Sequence, residues 1–391
     1  MSENNFNRNY GNNRDYNDNY YDDDSRNINE KNNYTSVDDN GYEDIYSDSG
    51  SNRRQPVRKK EKRSSKGKKV FKIILSVILI LILGFGVYAA LVVFRINYSG
   101  DNPDTESIEA QVGSLKSNPD VKNIMIFGAD NHKDGENGRS DSMILMSIDK
   151  KHKTLKQTSF LRDLYITIPG YGENRLNAAY SYGGPSLAVE TIEYNFGIKI
   201  DSYAVVDFSS FTSIIDALGG IDLELTADEI DYINRQCWKN KQVQTRHELD
   251  VNDYTFETND DGDSTAKVHL NGRQALWYAR DRDSAGSDFD RTSRQRTVIN
   301  TVISQMKSSN PITLMRVVYE VAPMITTNMS ALDVTSLCVK MISYLNYERK
   351  ELRVPANDNY SNTTTEDGAE VLTINDMDSE KQRLYNFIFE E

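Results

Sequence analysis

VKNIMIFGAD, residues 121–130, is the stretch on which the fold of this 391-residue chain turns. An apolar run that ends in Gly, Ala and Asp is the profile of a buried strand whose last residues enter a loop. Working toward the C-terminus, DSMILMSID (141–149) and TLKQTSF (154–160) repeat the pattern, and Leu164–Ile168 offers a further short strand. PSLAVETIEYNFG (185–197) predicts a helix, with Pro185 in its first turn and Gly197 past its end. DSYAVVDF (201–208) reads as a strand, SSFTSIIDALGG (209–220) as a helix closed by glycines, and IDLELT (221–226) as a strand. Strands alternating with helices predict an α/β domain.

Residues 240–266 break the alternation. Their NDDGD run (259–263) resembles half of a calcium loop but lacks the acidic residue that closes an EF-hand, so a solvated insertion is the better reading. Beyond it, helices are expected around Gly272–Ala279, from about Asp290 to Met306, and near Leu314–Val321 and Leu332–Leu345. The chain closes on an amphipathic RLYNFIF (383–389).

Upstream of Val121 the sequence changes character three times. Residues 96–120 are polar with Gly and Pro and read as part of a short stalk, over 95–120. Residues 73–94 form an uncharged run of 22, dominated by Ile, Leu and Val. At about 1.5 Å per residue it spans a hydrocarbon core of roughly 30 Å, which predicts a transmembrane helix. Its length and its start some seventy residues into the chain favour an uncleaved anchor over a signal peptide. Residues 51–72 carry 11 basic residues and one acid, which places the N-terminus on the cytoplasmic side and the rest outside the cell. Residues 1–50, rich in Asn, Asp, Tyr and Ser with 12 acidic and four basic residues, form a tail too polar to fold.

The net charge is −13, and the segment after the apolar run is itself acidic. General nucleic-acid binding needs a broad basic face, so no nucleic-acid partner is expected, and cytoplasmic membrane lipid is the simpler partner for the basic segment. Cys237 and Cys338 have no neighbours suggesting a zinc site and are read as either one disulfide or two thiols. The four histidines are scattered, without a local serine or cysteine signature.

Charges gather at predicted strand ends: Asp130 after the first strand, Arg139 and Asp141 opening the second, Arg162 and Asp163 after the third. Strand ends are where an open α/β sheet builds a ligand crevice, although salt-bridged loops would look the same. A second cluster, YARDRDSAGSDFDRTSRQR (278–296), holds Arg280, Arg282, Arg291, Arg294 and Arg296 among Asp281, Asp283, Asp288 and Asp290. Val298, Ile299, Val302, Ile303 and Met306 form the apolar stripe of the helix that follows, and threes and fours backwards reach Gln295, Arg294 and Arg291. Those arginines therefore face the core side, where a lone charge is costly, and they require an anion. A planar guanidinium fork suits phosphate, and carboxylates such as Asp130 and Asp141 are the hard ligands that Mg²⁺ prefers.

GAD (128–130), GRSDSMIL (138–145), SFLRDLYITIPG (159–170), RLNAAYSYGG (175–184), DALGGIDLEL (216–225), LNGRQALWYARDR (270–282) and DFDRTSRQR (288–296) together resemble the LytR–CpsA–Psr (LCP) family. The blocks run in family order over 121–306, and the basic segment, anchor and outer domain also match it. The resemblance implies a central mixed β-sheet flanked by helices, in an extracytoplasmic catalytic domain covering 121–391 of a Gram-positive-type cell envelope. It implies a transferase that moves a glycopolymer (teichoic acid, capsule or another wall polysaccharide) from a polyprenyl-diphosphate carrier to the C6 hydroxyl of muramic acid in peptidoglycan. By motif, Asp130 and Asp141 would hold Mg²⁺, and Arg139, Arg162, Arg280, Arg282 and Arg291 would grip the diphosphate beside Gln295. Asp288 would position the arginines, and Asp163 would be either the general base or a salt-bridge partner. The family often has glycine where this chain has Asp290. A lipid tail needs an apolar groove, for which Phe208, Phe211 and Ile214 are candidates, although core packing is the favoured reading for them. Two other functions share these residues or this family: a hydrolase acting on the same lipid-linked glycan, and a non-enzymatic envelope-linked transcriptional regulator or attenuator.

Overall fold

The computed structural model describes residues 66–129, 138–239, 249–250, 252–258, 264–282, 284 and 288–390, the side chains of 66–73, 81 and 288 apart. The N-terminal tail and the NDDGD run lie outside the described residues.

In chain order the elements are α1 (Lys66–Val93), β1 (Asn97–Tyr98), α2 (Thr105–Val112), β2 (Val121–Ala129), β3 (Ser140–Asp149), β4 (Thr154–Phe160), β5 (Tyr165–Ile168), β6 (Gly172–Arg175), α3 (Leu176–Phe196), β7 (Ser202–Asp207), α4 (Phe208–Ala217) and β8 (Ile221–Thr226). There follow α5 (Ala227–Lys239), β9 (Phe256–Thr258), β10 (Ser264–Leu270), α6 (Gly272–Arg280), α7 (Asp288–Ser308), α8 (Pro311–Val321), β11 (Thr326–Thr327), α9 (Ala331–Tyr344), β12 (Glu348–Val354), β13 (Tyr360–Thr364), β14 (Glu370–Ile374) and α10 (Met377–Phe389).

A seven-stranded mixed sheet in the order β1-β11-β7-β2-β3-β4-β12 organises the domain. β2 runs parallel to β7 and antiparallel to β3, and β4 runs parallel to β12. Strand alternation assigns the two faces. Met125, Phe127 and Ala129 of β2 enter the main core with Met143 and Leu145 of β3, against apolar residues of α3 and α10. On the opposite face Ile126, Gly128, Ser142 and Ile144 line a cavity, and Ile124 and Ile148 pack nearer α9. A smaller antiparallel sheet, β8-β10-β9, packs with residues of α5, α6 and α7 around a second core.

The helix expected from Pro185 begins earlier, at Leu176, and kinks at Gly183 and Gly184, where Gly184 holds φ 67°. A side chain is disfavoured in that conformation, so the glycine pair lets one helix turn into the next. Residues 95–120 are not a stalk but part of the domain. β1 pairs with β11, Ile108 of α2 is buried, and Thr105 Oγ1 donates to Glu193 Oε2 of α3 at 3.1 Å. Asn97 Nδ2 likewise donates to the Pro323 carbonyl at 2.7 Å, and the Asp104 N–H to Glu190 Oε1 at 2.7 Å.

The expected anchor is α1, of which Ile74–Val93 is long and apolar enough to cross a membrane. Its C-terminal end meets α8, with Tyr88 Oη donating to the Met315 carbonyl at 2.7 Å. Cys237 and Cys338 are both half-buried thiols in separate cores, not joined in a disulfide.

Candidate functional site

The cavity above the central sheet has a volume of about 540 Å³. Its floor is β2 and β3, and its walls are α4, α6 and α7. α4 starts where the Asp207 carboxylate accepts from the Ser210 N–H at 2.7 Å, an N-cap that aims Phe208 and Phe211 across the sheet. α6 begins against α4: a Cβ on Gly272 would stand 2.0 Å from the Thr212 carbonyl oxygen. Only glycine permits that approach, and the Gly272 N–H bonds to Asp216 Oδ1 at 2.7 Å. Phe208, Phe211 and Ile214, for which core packing was favoured, line this cavity. Val298, Ile299, Val302 and Ile303 of α7 complete its apolar part.

The predicted register of α7 places Arg291 and Gln295 on the same face, at the cavity's polar end with Arg280, Arg282, Asp141 and Asp207. Arg291 is 2% exposed. Arg280 stacks on the Phe208 ring, with its guanidinium carbon 4.3 Å from the centroid, and it has no carboxylate partner among the described residues. The Gln295 Oε1 and Trp277 Nε1 atoms are buried with no hydrogen-bond partner among the described residues. Guanidiniums outnumber carboxylates on this lining, inside a low-dielectric wall that strengthens their field.

Arg162, after β4, belongs to the same edge of the sheet. It donates to Asp141 Oδ1 at 2.8 Å and to Asp163 Oδ2 at 3.2 Å. The Asp163 carboxylate also faces Arg175, 3.6 Å away. Asp163 is thus ion-paired with both Arg162 and Arg175. Arg139 is exposed and is not among the side chains lining the cavity. Asp130 lies outside the described residues, although Ala129 before it pairs with Asp207 across β2 and β7. For Asp288 the structure describes only the backbone, as the first residue of α7.

Arg294 faces inward as the stripe predicts, yet its anion is a protein group. Its Nε donates to Glu229 Oε1 at 2.8 Å, and Nη1 to the Asp281 carbonyl at 3.1 Å. It ties α7 to α5 and is not available to a ligand. Arg296 points away, to Glu351 on β12 at 2.7 Å.

Asp207 and Trp277 were missed by the sequence reading. Asp207 could have been found, because it ends a strand as Asp130 does. No such signal marked Trp277.

The donor set for a divalent cation is represented at the cavity by Asp141, a hard oxygen ligand. Its Oδ1 is shared with Arg162, and its Oδ2 takes no other partner among the described residues. Among the described residues, three metal-ligating side chains come together elsewhere, at Asp149, His152 and Glu390. There the buried Lys156 ammonium already supplies the cation, 2.9 Å from Asp149 and 3.1 Å from Glu390. Burial opposes ionisation of Asp149, but hydrogen bonds from His152 and Lys156 prevail and bring its pKa down to about 2. The cluster pins the C-terminus to the sheet.

An apolar chamber with arginines gathered at one end has the chemistry to suit an amphiphile, anionic at its head and hydrocarbon along its tail. The chain belongs to the LytR_cpsA_psr family, whose model matches residues 91–383. It is similar to the polyisoprenyl-teichoic acid–peptidoglycan teichoic acid transferase TagU of Enterococcus faecalis, 30% identical over 257 residues, 63% of this chain and 75% of that protein. It is also similar to the regulatory protein MsrR of Staphylococcus aureus, 28% identical over 282 residues, 71% of this chain and 77% of that one. Among solved structures, Bacillus subtilis TagT bound to LI-WTA is 25% identical with a TM-score of 0.52, covering 69% of this chain and 92% of that one.

Proposed function

We propose that this protein transfers a glycopolymer phosphate from a polyprenyl-diphosphate carrier to peptidoglycan. The observation that carries the reading is the cavity itself, where one continuous lining joins Arg280, Arg282 and Arg291 to an apolar chamber. The chamber takes the prenyl tail, and the arginines take the diphosphate, with Arg162 held beside it by Asp163 and Asp141. The relatives named for teichoic acid transfer support the same class of substrate and acceptor.

In the proposed reaction the C6 hydroxyl oxygen of a muramic acid residue attacks the sugar-linked phosphorus, and its proton passes to the departing polyprenyl phosphate. The bridging P–O bond breaks, polyprenyl phosphate leaves with that oxygen, and the polymer stays on through a phosphodiester. The arginines act because charge shifts onto the bridging oxygen as this bond breaks, and preorganised donors stabilise it without reorganisation. The donor chemistry of Asp141, with Asp130, fits Mg²⁺, which when bound would neutralise further charge on the diphosphate. Arg139 would reach the same phosphates from the loop before β3, and Asp288 would orient the arginines.

The function places the domain outside the cell, with α1 as its membrane anchor and residues 51–72 inside. The decisive experiment combines the full chain in detergent with Mg²⁺, a lipid-diphosphate-linked glycan and peptidoglycan fragments, and weighs the product. A fragment heavier by the glycan phosphate supports transfer. Free glycan phosphate alone would identify a hydrolase, and no conversion by folded protein would leave a regulator.

A further inference from the structure

The last turns of the apolar span of α1 are already covered by protein, although the turns before them are exposed. Ile74–Val93 contains 20 residues, which at 1.5 Å each gives about 30 Å, the thickness of the hydrocarbon core with no turn to spare. Its outer boundary then falls near Val93. Yet Ala89 is 3% exposed and Val92 1%. Val93 packs in a cluster with Val334, Leu337 and Cys338 of α9. Tyr88, five residues before Val93 and so roughly 7 Å deeper, bonds to Met315 of α8.

The direction of α8 follows from two contacts. Tyr88 meets Met315, and Arg95, farther out, stacks on Tyr319 at 4.2 Å. The N-terminal end of α8 therefore lies on the membrane side of Met315. That end carries Ile312, 80% exposed. On α9, Leu332, Val339 and Ile342 recur at the spacing of one helical face, turned away from the Val334–Leu337–Cys338 side, and are 82%, 56% and 59% exposed. Exposed Arg316 and Lys340 flank these residues. Apolar faces with cations beside them are the composition of a helix lying in a bilayer interface, where long basic side chains reach the headgroups.

We propose that α8 and α9 are seated in the outer leaflet beside α1, with Ile312, Val339 and Ile342 in its hydrocarbon and Arg316 and Lys340 at the lipid phosphates. The proposal rests on the reading of α1 as the anchor. It has a consequence for the substrate. Ile303 lines the cavity and also packs in the cluster that holds Val93, and Met306 packs with Val317 of α8. The apolar end of the cavity therefore abuts the helices in the leaflet. A prenyl tail would pass from lipid into the chamber without crossing water.

Depth measurement tests this on the full chain. Single cysteines replacing Ile312, Val339 or Ile342, in a Cys237→Ser/Cys338→Ala background, are coupled to an environment-sensitive fluorophore. The chain is then reconstituted into phosphatidylglycerol–phosphatidylethanolamine vesicles containing spin-labelled lipids. Ile80→Cys reports the anchor and Thr363→Cys, on exposed β13, the water. The expected result is blue-shifted, quenched emission at 312, 339 and 342, shallower than at 80, with neither effect at 363. Quenching at 80 but water-like emission at the three positions overturns the docking and leaves the anchor intact. Loss of quenching at 80 overturns the anchor itself and the docking with it. If removing both thiols unfolds the chain, photo-crosslinking residues at the same positions in the native sequence give the same reading through lipid adducts.

Discussion

Arg280 and Arg294 carry the same charge and come from the same arginine-rich segment, yet their surroundings give them different work. Arg280 rests on an aromatic ring at the cavity with no carboxylate partner among the described residues. Arg294, 6% exposed, is bound to Glu229. Replacing Arg280 by alanine should lower the rate of transfer by about 10²–10³, the usual cost of one preorganised donor, with little change in melting temperature. Arg162→Ala belongs with it. Arg294→Ala should instead strand Glu229 and cost about 3–5 kcal/mol of stability. Parallel denaturation and product assays separate the two, and a stable but inactive Arg294→Ala would refute its structural role. Glu193 carries a different prediction. Burial raises its pKa to about 7, against hydrogen bonds from the Ile200 N–H and Thr105 that lower it. The folded state thus holds a proton that the unfolded chain releases near pH 4.5. Its contribution favours folding below that pH and is lost as pH rises toward 7, by an amount on the order of 3 kcal/mol. Glu193→Gln should flatten the stability profile between pH 4.5 and about 7, measured by urea unfolding. An unchanged slope would show that another group sets it.

At the scale of elements, α7 was the most legible part of the sequence, because one apolar stripe sets its rotation and therefore where Arg291 and Gln295 point. The same stripe could not reveal that Glu229, 65 residues away, neutralises Arg294. β12 was missed for a related reason. ERKELRV has no apolar alternation: it is an edge strand paired with β4, and only Leu352 and Val354 at its end reach the core. In β10 the alternation was present, with Ala266, Val268 and Leu270 buried, but a polar insertion ran into it. The chamber had no linear signature at all, because its volume is set by the gap between α4, α6 and α7 over the sheet. A test belongs here. Val302 lies in the apolar part of the lining, so Val302→Trp should fill the tail's space while leaving the arginines untouched. Transfer from a long-chain carrier should fall through a raised KM, and a short-chain carrier should be spared. Equal loss with both carriers would place the tail elsewhere.

At the scale of the whole molecule, the alternation of charge along the chain explains how an arginine-lined cavity can sit in an acidic protein. Residues 1–50 are acidic, 51–72 strongly basic, and the rest acidic again. The positive charge of the site is therefore a local arrangement of inward-facing arginines, and the large basic block is somewhere else, beside the apolar run. Two roles compete for that block. Anionic headgroups attract it by about 1 kcal/mol for each Lys or Arg near the surface, which would hold the N-terminal end of α1 at the inner leaflet. A transcriptional regulator would use it on nucleic acid. Exchanging Arg53–Lys69 for a neutral linker distinguishes them, provided orientation is preserved and verified by protease access to the outer domain. With the domain outside, the variant should transfer polymer at the parental rate per molecule, since the arginines, the chamber and the docking helices are untouched. Full transfer with altered transcription of envelope genes would assign the basic block a second task. Loss of transfer by correctly oriented protein would contradict the separation of site and basic block.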